Sequence, residues 1–269
     1  MQAPILMVHG MCCTGDVWSQ FRSFFEERGA RVYTPTLRPE ERVNRKSRPP
    51  RELSKLSLHD YVQDLEREVE RIEDETGKSP AVIGHSMGGL LAQALAERDR
   101  VCAAVLLSPA VPADAHNTGS RLFWRAYGLM RRFGLTHGMI RPQHRGVSAL
   151  VLNAMPAPER RAIVDAMVYE SGTAFSEFAH FPIDERKIRV PLLTVAAGRD
   201  RLVNKFLVRR TSRKYAAVGG EFREYRAHGH WLYAEPGWER AASDIYDWLI
   251  GAIERGNSVR PPVVASAQL

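Results

Sequence analysis

Cysteine and long hydrophobic runs are both scarce in this 269-residue sequence. Its three cysteines, Cys12, Cys13 and Cys102, are too few and too irregularly placed to form a disulfide framework. No apolar run approaches the roughly 20 residues that a membrane-spanning helix needs, so we expect no membrane span. The first residues lack the basic region, apolar region and cleavage site of a secretory signal, and we therefore expect a cytoplasmic protein.

Acidic residues are fewer than basic ones, and the basic excess is concentrated in one stretch. The formal net charge is +7 at pH 7, and seven arginines and lysines lie within residues 38–55, which we call the basic segment. An acidic partner such as nucleic acid, anionic lipid or a phosphopantetheine carrier protein would explain this charge. A solvated surface loop explains it more simply, because no aromatic residue lies between the charges. We therefore expect no nucleic-acid partner and keep an acidic carrier protein as the alternative.

One short stretch combines a strand, a glycine-rich turn and a helix around a serine. Apolar residues 81–83 are followed by residues 84–89 (GHSMGG) and then by apolar residues at helical spacing. In this G-x-S-x-G arrangement the serine lies on a strained turn with its hydroxyl exposed, and side chains at Gly84 and Gly88 would collide with neighbouring elements. The pattern predicts a nucleophilic Ser86 at a helix N-terminus, where backbone N–H groups favour negative charge.

Apolar runs and amphipathic helical patterns alternate along most of the chain. Strands are predicted at residues 4–8, 30–34, 81–83, 101–108, 191–197 and 221–225. Helices are predicted from about residue 14 to Gly29, at 58–76, after the serine turn, from about Asn204, and at 238–253. This alternation predicts an α/β fold with a mostly parallel, doubly wound sheet of about six strands.

The alternation stops between residues 109 and 189, where no clear strand is evident. Helical patterns are found there at 121–133, 147–152 and 158–170. We interpret this stretch as a helical insertion between two strands of the sheet. The predicted units are a core of residues 1–110 and 188–255, a helical cap at 111–187, and a flexible C-terminal tail at 256–269.

Four features, in this order, resemble the α/β-hydrolase superfamily, and more narrowly its capped, bacterial-type branch of serine esterases and lipases. They are His9-Gly10 at the end of the first strand, the GHSMGG turn, Asp200 after a later strand, and Gly229-His230. The resemblance covers residues 4–253 apart from the insertion, and the chain order of serine, acid and histidine agrees with that fold. It implies an inserted helical cap. The chain departs from the usual pattern because it begins at what is usually the third strand, so we expect the sheet to lack its antiparallel edge.

The resemblance also implies a role for each motif residue. Ser86, Asp200 and His230 would form a catalytic triad, and the backbone N–H groups of Met11 and Met87 would form an oxyanion hole. We expect substrate to meet His9, Gly10, Cys12 and Trp231, which lie in or beside the motifs, and Trp124 and Tyr127, which lie on an aromatic helical stripe of the insertion.

Several of these assignments have competitors in the sequence. Asp114 follows the preceding strand, where some branches of the fold keep the acid. His228 competes with His230, which is favoured because a glycine precedes it and an aromatic residue follows it. Trp124 and Tyr127 either pack against another helix or form the roof of an acyl pocket. The Cys12-Cys13 pair is either redox-sensitive, a second nucleophile, or simply part of the pocket floor.

The function implied by the resemblance is hydrolysis of a small carboxylic ester through an acyl-enzyme on Ser86, with no metal or organic cofactor. Fold alone does not identify a substrate. A thioesterase acting on carrier-bound acyl chains would give the basic segment a purpose. A C–C bond hydrolase and a non-catalytic ligand-binding receptor are also compatible with this fold and these residues.

Overall fold

Six strands form one parallel sheet in a computed structural model of the protein, which describes residues 3–112, 138–178 and 180–259. The strands in chain order are β1 (Ile5–Val8), β2 (Val32–Tyr33), β3 (Ala81–His85), β4 (Ala103–Leu107), β5 (Met139–Ile140), β6 (Glu170–Ser171), β7 (Leu192–Ala197) and β8 (Glu221–Tyr225). The sheet order is β2-β1-β3-β4-β7-β8, and all of its pairings are parallel. Strands β5 and β6 form a separate antiparallel pair. The predicted α/β class and six-stranded parallel sheet are therefore confirmed.

Helices cover both faces of this sheet. They are α1 (Ser19–Glu26), α2 (Leu58–Thr76), α3 (Met87–Glu97), α4 (His144–Leu150), α5 (Ala157–Ala166), α6 (Gly172–Glu177), α7 (Lys205–Arg213) and α8 (Trp238–Val259). Alternate residues of each central strand face opposite sides: Ile5 and Met7 pack with α1 and α8, whereas Leu6 and Val8 pack with α2 and α3. Because both faces are covered, the central strands are continuous apolar runs and are fully buried.

The helix α2 begins and ends at the residues that its sequence signals predict. The Ser57 hydroxyl accepts a hydrogen bond from the Asp60 N–H at 3.1 Å, and the Asp60 carboxylate accepts one from the Ser57 N–H at 2.8 Å. This reciprocal capping box satisfies two backbone donors that the first turn leaves free. At the other end, Gly77 has a φ of 69°, a left-handed conformation that glycine adopts without strain.

The chain between β4 and β7 is an insertion, because these two strands are neighbours in the sheet. Its described part holds α4, α5 and α6, and the predicted helix at 121–133 lies outside the described residues. The prediction that the insertion has no strand is wrong, because β5 and β6 pair there, with Ile140 opposite Glu170. These two-residue strands are too short to produce a periodic pattern, and β6 occupies the end of the predicted helix 158–170. The division into core, cap and tail stays a prediction.

The final helix continues past its predicted end. Sequence patterning places that end at residue 253, whereas α8 runs to Val259. The first residues of the predicted tail, 256–259, therefore have helical backbone, and residues beyond 259 lie outside the described part of the chain. Helix ends are set by local hydrogen bonds that an apolar stripe does not specify.

We expect Ser57→Ala to lower the free energy of unfolding by about 1 kcal/mol, because α2 loses its capping hydrogen bond. Ser57→Asn should recover most of this loss, since asparagine is an equally good N-cap. Urea denaturation followed by circular dichroism measures both variants. Equal stability of the alanine variant and the wild type would contradict a stabilising role for the cap.

Candidate active site

Ser86 lies on a tight turn between β3 and α3 with a backbone conformation that is rare outside glycine. Its φ is 53° and its ψ is −114°, a strained combination that costs on the order of 1–3 kcal/mol. A side chain at Gly84 would overlap the Gly88 carbonyl oxygen, and one at Gly88 would overlap the Val8 carbonyl oxygen. The two glycines therefore let the turn pack directly against its own helix and against β1, as the sequence pattern predicts.

Asp200 and His230, which follow β7 and β8, form a buried hydrogen-bonded pair. The distance from His230 Nδ1 to Asp200 Oδ2 is 2.8 Å, and the side chains are 2% and 1% exposed, respectively. The second carboxylate oxygen of Asp200 accepts the N–H groups of Leu202 and Val203, both at 2.8 Å. Because the carboxylate is held from both sides, it fixes the orientation of the imidazole ring. Nδ1 is engaged, so Nε2 is the ring nitrogen left to act in the cavity.

Backbone contacts from two further side chains hold the His230 loop in place. Glu235, 1% exposed, accepts the N–H of Gly229 at 2.6 Å and the N–H of Trp231 at 3.2 Å. His85 Nε2 lies 2.9 Å from the His230 carbonyl oxygen, which can only accept, so Nε2 carries the proton. Burial raises the pKa of Glu235. Sequence reasoning missed both roles, because nothing in the pattern distinguishes a buried glutamate from a solvated one.

The loop after β1, residues 9–13, passes close to Ser86. A side chain at Gly10 would lie 3.0 Å from His85 Nδ1 and 3.2 Å from Ser86 Cβ, so only glycine allows this approach without displacing a neighbour. Cys12 has a φ of 60°, in the left-handed region that non-glycine residues rarely adopt. We call residues 9–13 the oxyanion loop, after the role that the sequence predicts for Met11.

His9 supports the oxyanion loop from behind and is fully buried, although its place in the motif predicts contact with substrate. Its Nε2 accepts the Leu37 N–H at 3.1 Å, so Nδ1 carries the proton and donates to the Gly10 carbonyl oxygen at 2.8 Å. In a planar trans peptide the C=O and N–H groups point in opposite directions. The Gly10 carbonyl therefore turns toward His9, and the Met11 N–H turns away from it.

Cys12 and Cys13 are held by their surroundings and are poor nucleophiles at neutral pH. Both are buried, and the Cys13 thiol donates to the Met11 carbonyl oxygen at 3.2 Å. Burial raises the pKa of Cys12 well above its ordinary value and that of Cys13 to about 12. Because the thiolate is the reactive form, the geometry favours packing over redox chemistry or a second nucleophile.

The candidate site opens into a cavity of about 620 Å³. Ser86, His230 and four other residues predicted to lie at the site, Gly10, Met11, Cys12 and Trp231, line it. Its remaining walls are mostly apolar and come from both the core and the insertion, with Val147, Phe175 and Phe178 among the insertion residues. Such a space suits an apolar small molecule whose polar group meets a few fixed donors.

Some of the candidate residues do not line the cavity or lie outside the described residues. Met87 is fully buried at the first position of α3, directly after Ser86. His228 lies outside the cavity lining, with its ring against Tyr225 at a centroid distance of 5.9 Å. Trp124, Tyr127 and the competing acid Asp114 lie outside the described residues.

Three arginines of the basic segment have acidic partners within the protein. Arg42 pairs with Glu170 at 2.8 Å with both side chains 0% exposed, Arg45 pairs with Asp165 at 2.8 Å, and Arg38 pairs with Asp64 at 2.5 Å. Arg42 and Arg45 thereby bind the insertion to the core. Three of the segment's seven positive charges are thus neutralised internally, which weakens the reason to expect an acidic carrier protein at this segment.

Residues 3–112, 138–178 and 180–259 contain neither a metal-binding cluster nor a membrane-spanning helix. No group of three or more His, Cys, Asp and Glu side chains in these ranges could hold a metal ion. No helix in the same part of the chain is long and apolar enough to cross a membrane.

Known proteins provide a family match and several structural neighbours. The profile of the alpha/beta hydrolase family matches residues 5–242. A monoacylglycerol lipase from Paleococcus ferrophilus has a TM-score of 0.67 at 19% identity, with 94% of this chain and 97% of that chain covered. A thermophilic esterase from Thermogutta terrifontis has a TM-score of 0.68 at 20% identity, covering 94% and 91%. A methylesterase from Arabidopsis has a TM-score of 0.66 at 11% identity, covering 94% and 99%. Curated protein sequences give no significant match.

Buried neutral histidines predict a loss of stability in mild acid. Burial and then the Arg42 charge lower the pKa of His9 from 6.5 to about 3, and burial lowers that of His85 as well. Below pH 6.5 the unfolded chain takes up protons that the folded chain does not, so stability is complete above pH 6.5 and falls as the pH falls. We expect each histidine to contribute a slope of about 1.4 kcal/mol per pH unit below pH 6.

Urea denaturation at pH 7.5, 6 and 5 measures this slope. His9→Gln keeps an acceptor for the Leu37 N–H but does not titrate. It should therefore reduce the dependence of the unfolding free energy on pH by about 1.4 kcal/mol per pH unit, the contribution of one proton. A variant with the wild-type slope would contradict the assignment of His9 as a buried neutral group.

Proposed function

The chain belongs to the alpha/beta hydrolase family, and from that premise we propose that it is a serine hydrolase that cleaves carboxylic esters with an apolar group. One observation carries the proposal: the Asp200–His230 hydrogen bond of 2.8 Å places an oriented imidazole on the same apolar cavity as the strained Ser86. A nucleophile, a base and a group that orients the base are the parts that covalent acyl transfer requires.

The proposed reaction forms and then hydrolyses an ester on Ser86. His230 Nε2 takes the hydroxyl proton as Ser86 Oγ attacks the substrate carbonyl carbon, and Asp200 stabilises the resulting imidazolium. The N–H groups of Met11 and Met87 bind the tetrahedral oxyanion, each donor contributing about 3 kcal/mol to the transition state. His230 then protonates the leaving alcohol. Water, deprotonated by the same histidine, attacks the acyl carbonyl carbon. The bond to Ser86 Oγ then breaks, Oγ takes the proton back from His230, and the acid is released.

The cavity chemistry supports an apolar ester as the substrate class. Its volume of about 620 Å³ falls in the range of small-molecule sites, and apolar side chains form most of its wall. Since Val147, Phe175 and Phe178 of the insertion contribute to that wall, we infer that the insertion acts as a cap over the substrate. The structural neighbours include a monoacylglycerol lipase, an esterase and a methylesterase, which agrees with ester chemistry.

A thioesterase acting on carrier-bound chains is less well supported. That function depends on a basic segment that is free to meet an acidic carrier, whereas Arg38, Arg42 and Arg45 already pair with carboxylates of the protein. A C–C bond hydrolase and a non-catalytic receptor would use the same cavity, and labelling and substrate assays distinguish them from an esterase.

Labelling with a fluorophosphonate tests the nucleophile directly. We expect one adduct, on Ser86, detected by intact mass and peptide mapping. Ser86→Ala should give no adduct with an unchanged melting temperature, and His230→Ala should lose most of the labelling because the serine has no base. The matched control His228→Ala should label like the wild type. A folded wild-type protein that is not labelled, but still binds an apolar ligand, would support the receptor function instead.

The role of Asp200 is tested by kinetics on p-nitrophenyl esters. We expect Asp200→Asn to lower kcat by about 10³- to 10⁴-fold with little change in KM, because the imidazole loses the acceptor that sets its tautomer. Asp114→Asn, a change in the competing acid, should stay close to wild type. The reverse ranking would show that the acid follows the other strand.

A further inference from the structure

A fully buried ion pair joins the basic segment to the insertion. The Arg42 guanidinium donates to both oxygens of Glu170, at 2.8 Å and 3.2 Å, and both side chains are 0% exposed. The Tyr61 hydroxyl and the Ser171 N–H donate to Glu170 Oε1 at 2.6 Å and 2.9 Å. A buried ion pair is on average no more stabilising than an apolar pair of similar volume. Stability alone therefore does not explain why an ion pair is buried at this position.

That place is directly behind the oxyanion loop. Glu170 Oε2 accepts the N–H of Cys12 at 3.3 Å, and the Cys12 carbonyl oxygen accepts the N–H of Val168, two residues before Glu170, at 3.0 Å. The Cys12 N–H and the Met11 carbonyl belong to one peptide, so fixing the first also fixes the second. The Met11 carbonyl accordingly turns the other way, where the Cys13 thiol meets it at 3.2 Å.

Both peptides that flank Met11 are thus held by side chains. His9 holds the preceding peptide at the Gly10 carbonyl, and Glu170 holds the following one at the Cys12 N–H. The Met11 N–H belongs to the first of these peptides, so His9 sets its direction, and Glu170, by holding the second peptide, keeps the Met11 backbone from rotating that N–H away. The positive φ of Cys12, 60°, is a conformation that a free loop would not favour.

We propose that Glu170, reaching from the insertion, is a positioning residue that, together with His9, keeps the Met11 N–H directed into the oxyanion hole. This inference rests on the proposed function for its catalytic consequence. Arg42 contributes to this positioning by neutralising Glu170, because an unpaired carboxylate next to the loop would repel a developing oxyanion. The guanidinium cancels that charge and leaves only the acceptor geometry.

The ionisation of the pair agrees with this arrangement. Burial by itself raises the pKa of Glu170, but the charge and hydrogen bonds of Arg42, with the hydrogen bonds from the Tyr61 hydroxyl and the Ser171 N–H, outweigh it and hold the pKa below its ordinary value. Burial likewise acts to lower the pKa of Arg42, and the Glu170 carboxylate more than restores it. Both groups are therefore charged at neutral pH.

A simpler role is that the pair only attaches the insertion to the core. The Arg45–Asp165 ion pair, at 2.8 Å, also connects the basic segment to the insertion, and the side-chain contacts of Asp165 are with Arg45 and His144 rather than with the oxyanion loop. Asp165→Asn is therefore the matched control: it weakens attachment without changing the support of the loop.

Glu170→Asp is the decisive variant. It keeps the negative charge beside Arg42 but withdraws the carboxylate from the Cys12 N–H by about 1.5 Å, one C–C bond. With p-nitrophenyl butyrate we expect kcat to fall about 10- to 100-fold while KM stays within about 2-fold, because the oxyanion is bound only in the transition state. Inhibition by a trifluoromethyl ketone, which forms the same tetrahedral oxyanion, should weaken by the same factor as kcat/KM. Asp165→Asn should keep both values within about 2-fold of wild type.

Equal kcat for Glu170→Asp and the wild type would overturn the proposal, as would an equal loss of kcat in both variants. If Glu170→Asp does not fold, Arg42→Lys provides the test, since it loosens the hold on Glu170 and should lower kcat several-fold at constant KM; an unchanged kcat would overturn the proposal.

Hydrogen exchange of the peptide that spans residues 9–13 gives a readout that does not depend on turnover. We expect faster exchange in Glu170→Asp than in the wild type or in Asp165→Asn, and identical exchange in all three would overturn the proposal. A wild-type protein that hydrolyses no ester would contradict the proposed function alone, because this comparison would still test the loop.

Discussion

The close contact between two backbones determines the geometry of the whole candidate site. The turn at Ser86 packs against the end of β1 so tightly that a side chain at Gly88 would overlap the Val8 carbonyl oxygen. The same approach leaves Gly10 beside Ser86, where a side chain would crowd Ser86 Cβ at 3.2 Å and His85 Nδ1 at 3.0 Å. Adjacent parallel strands, β1 and β3, thereby bring the proposed nucleophile Ser86 close to Met11, the proposed donor to the oxyanion. The strain at Ser86 is the cost of that approach.

Around this contact the protein uses buried polar groups to orient reactive ones. Asp200 orients the His230 ring, Glu235 and His85 hold its backbone, and Glu170 holds the loop after β1. Each of these groups makes its orienting hydrogen bond within the protein, so none has to reorganise when charge develops. Preorganised polar groups of this kind are the main source of electrostatic catalysis. The apolar cavity supplies the surrounding low-polarity medium.

The fold and the motif residues could be predicted from the sequence because their signals are local. Strand β8 and helix α2 begin and end at the predicted residues, and the apolar stripe and the glycine stop that predict α2 are each readable within a few positions. The sequence signal of the serine turn is equally local, because close backbone contacts require glycine at both Gly84 and Gly88. By contrast, the partners of Glu170 lie at Cys12, Arg42 and Tyr61, more than a hundred residues away along the chain. Such pairing depends on tertiary packing, and a two-residue strand such as β6 carries no periodicity that would reveal it.

The most direct test of the proposed mechanism is to trap the covalent intermediate during turnover. Wild-type protein mixed with a p-nitrophenyl ester is quenched in acid within milliseconds, digested and analysed by mass spectrometry. We predict one acyl group, on the peptide that carries Ser86, with a burst of p-nitrophenol of about one equivalent. Turnover with no acyl group on Ser86, or with the acyl group on Cys12, would contradict the mechanism.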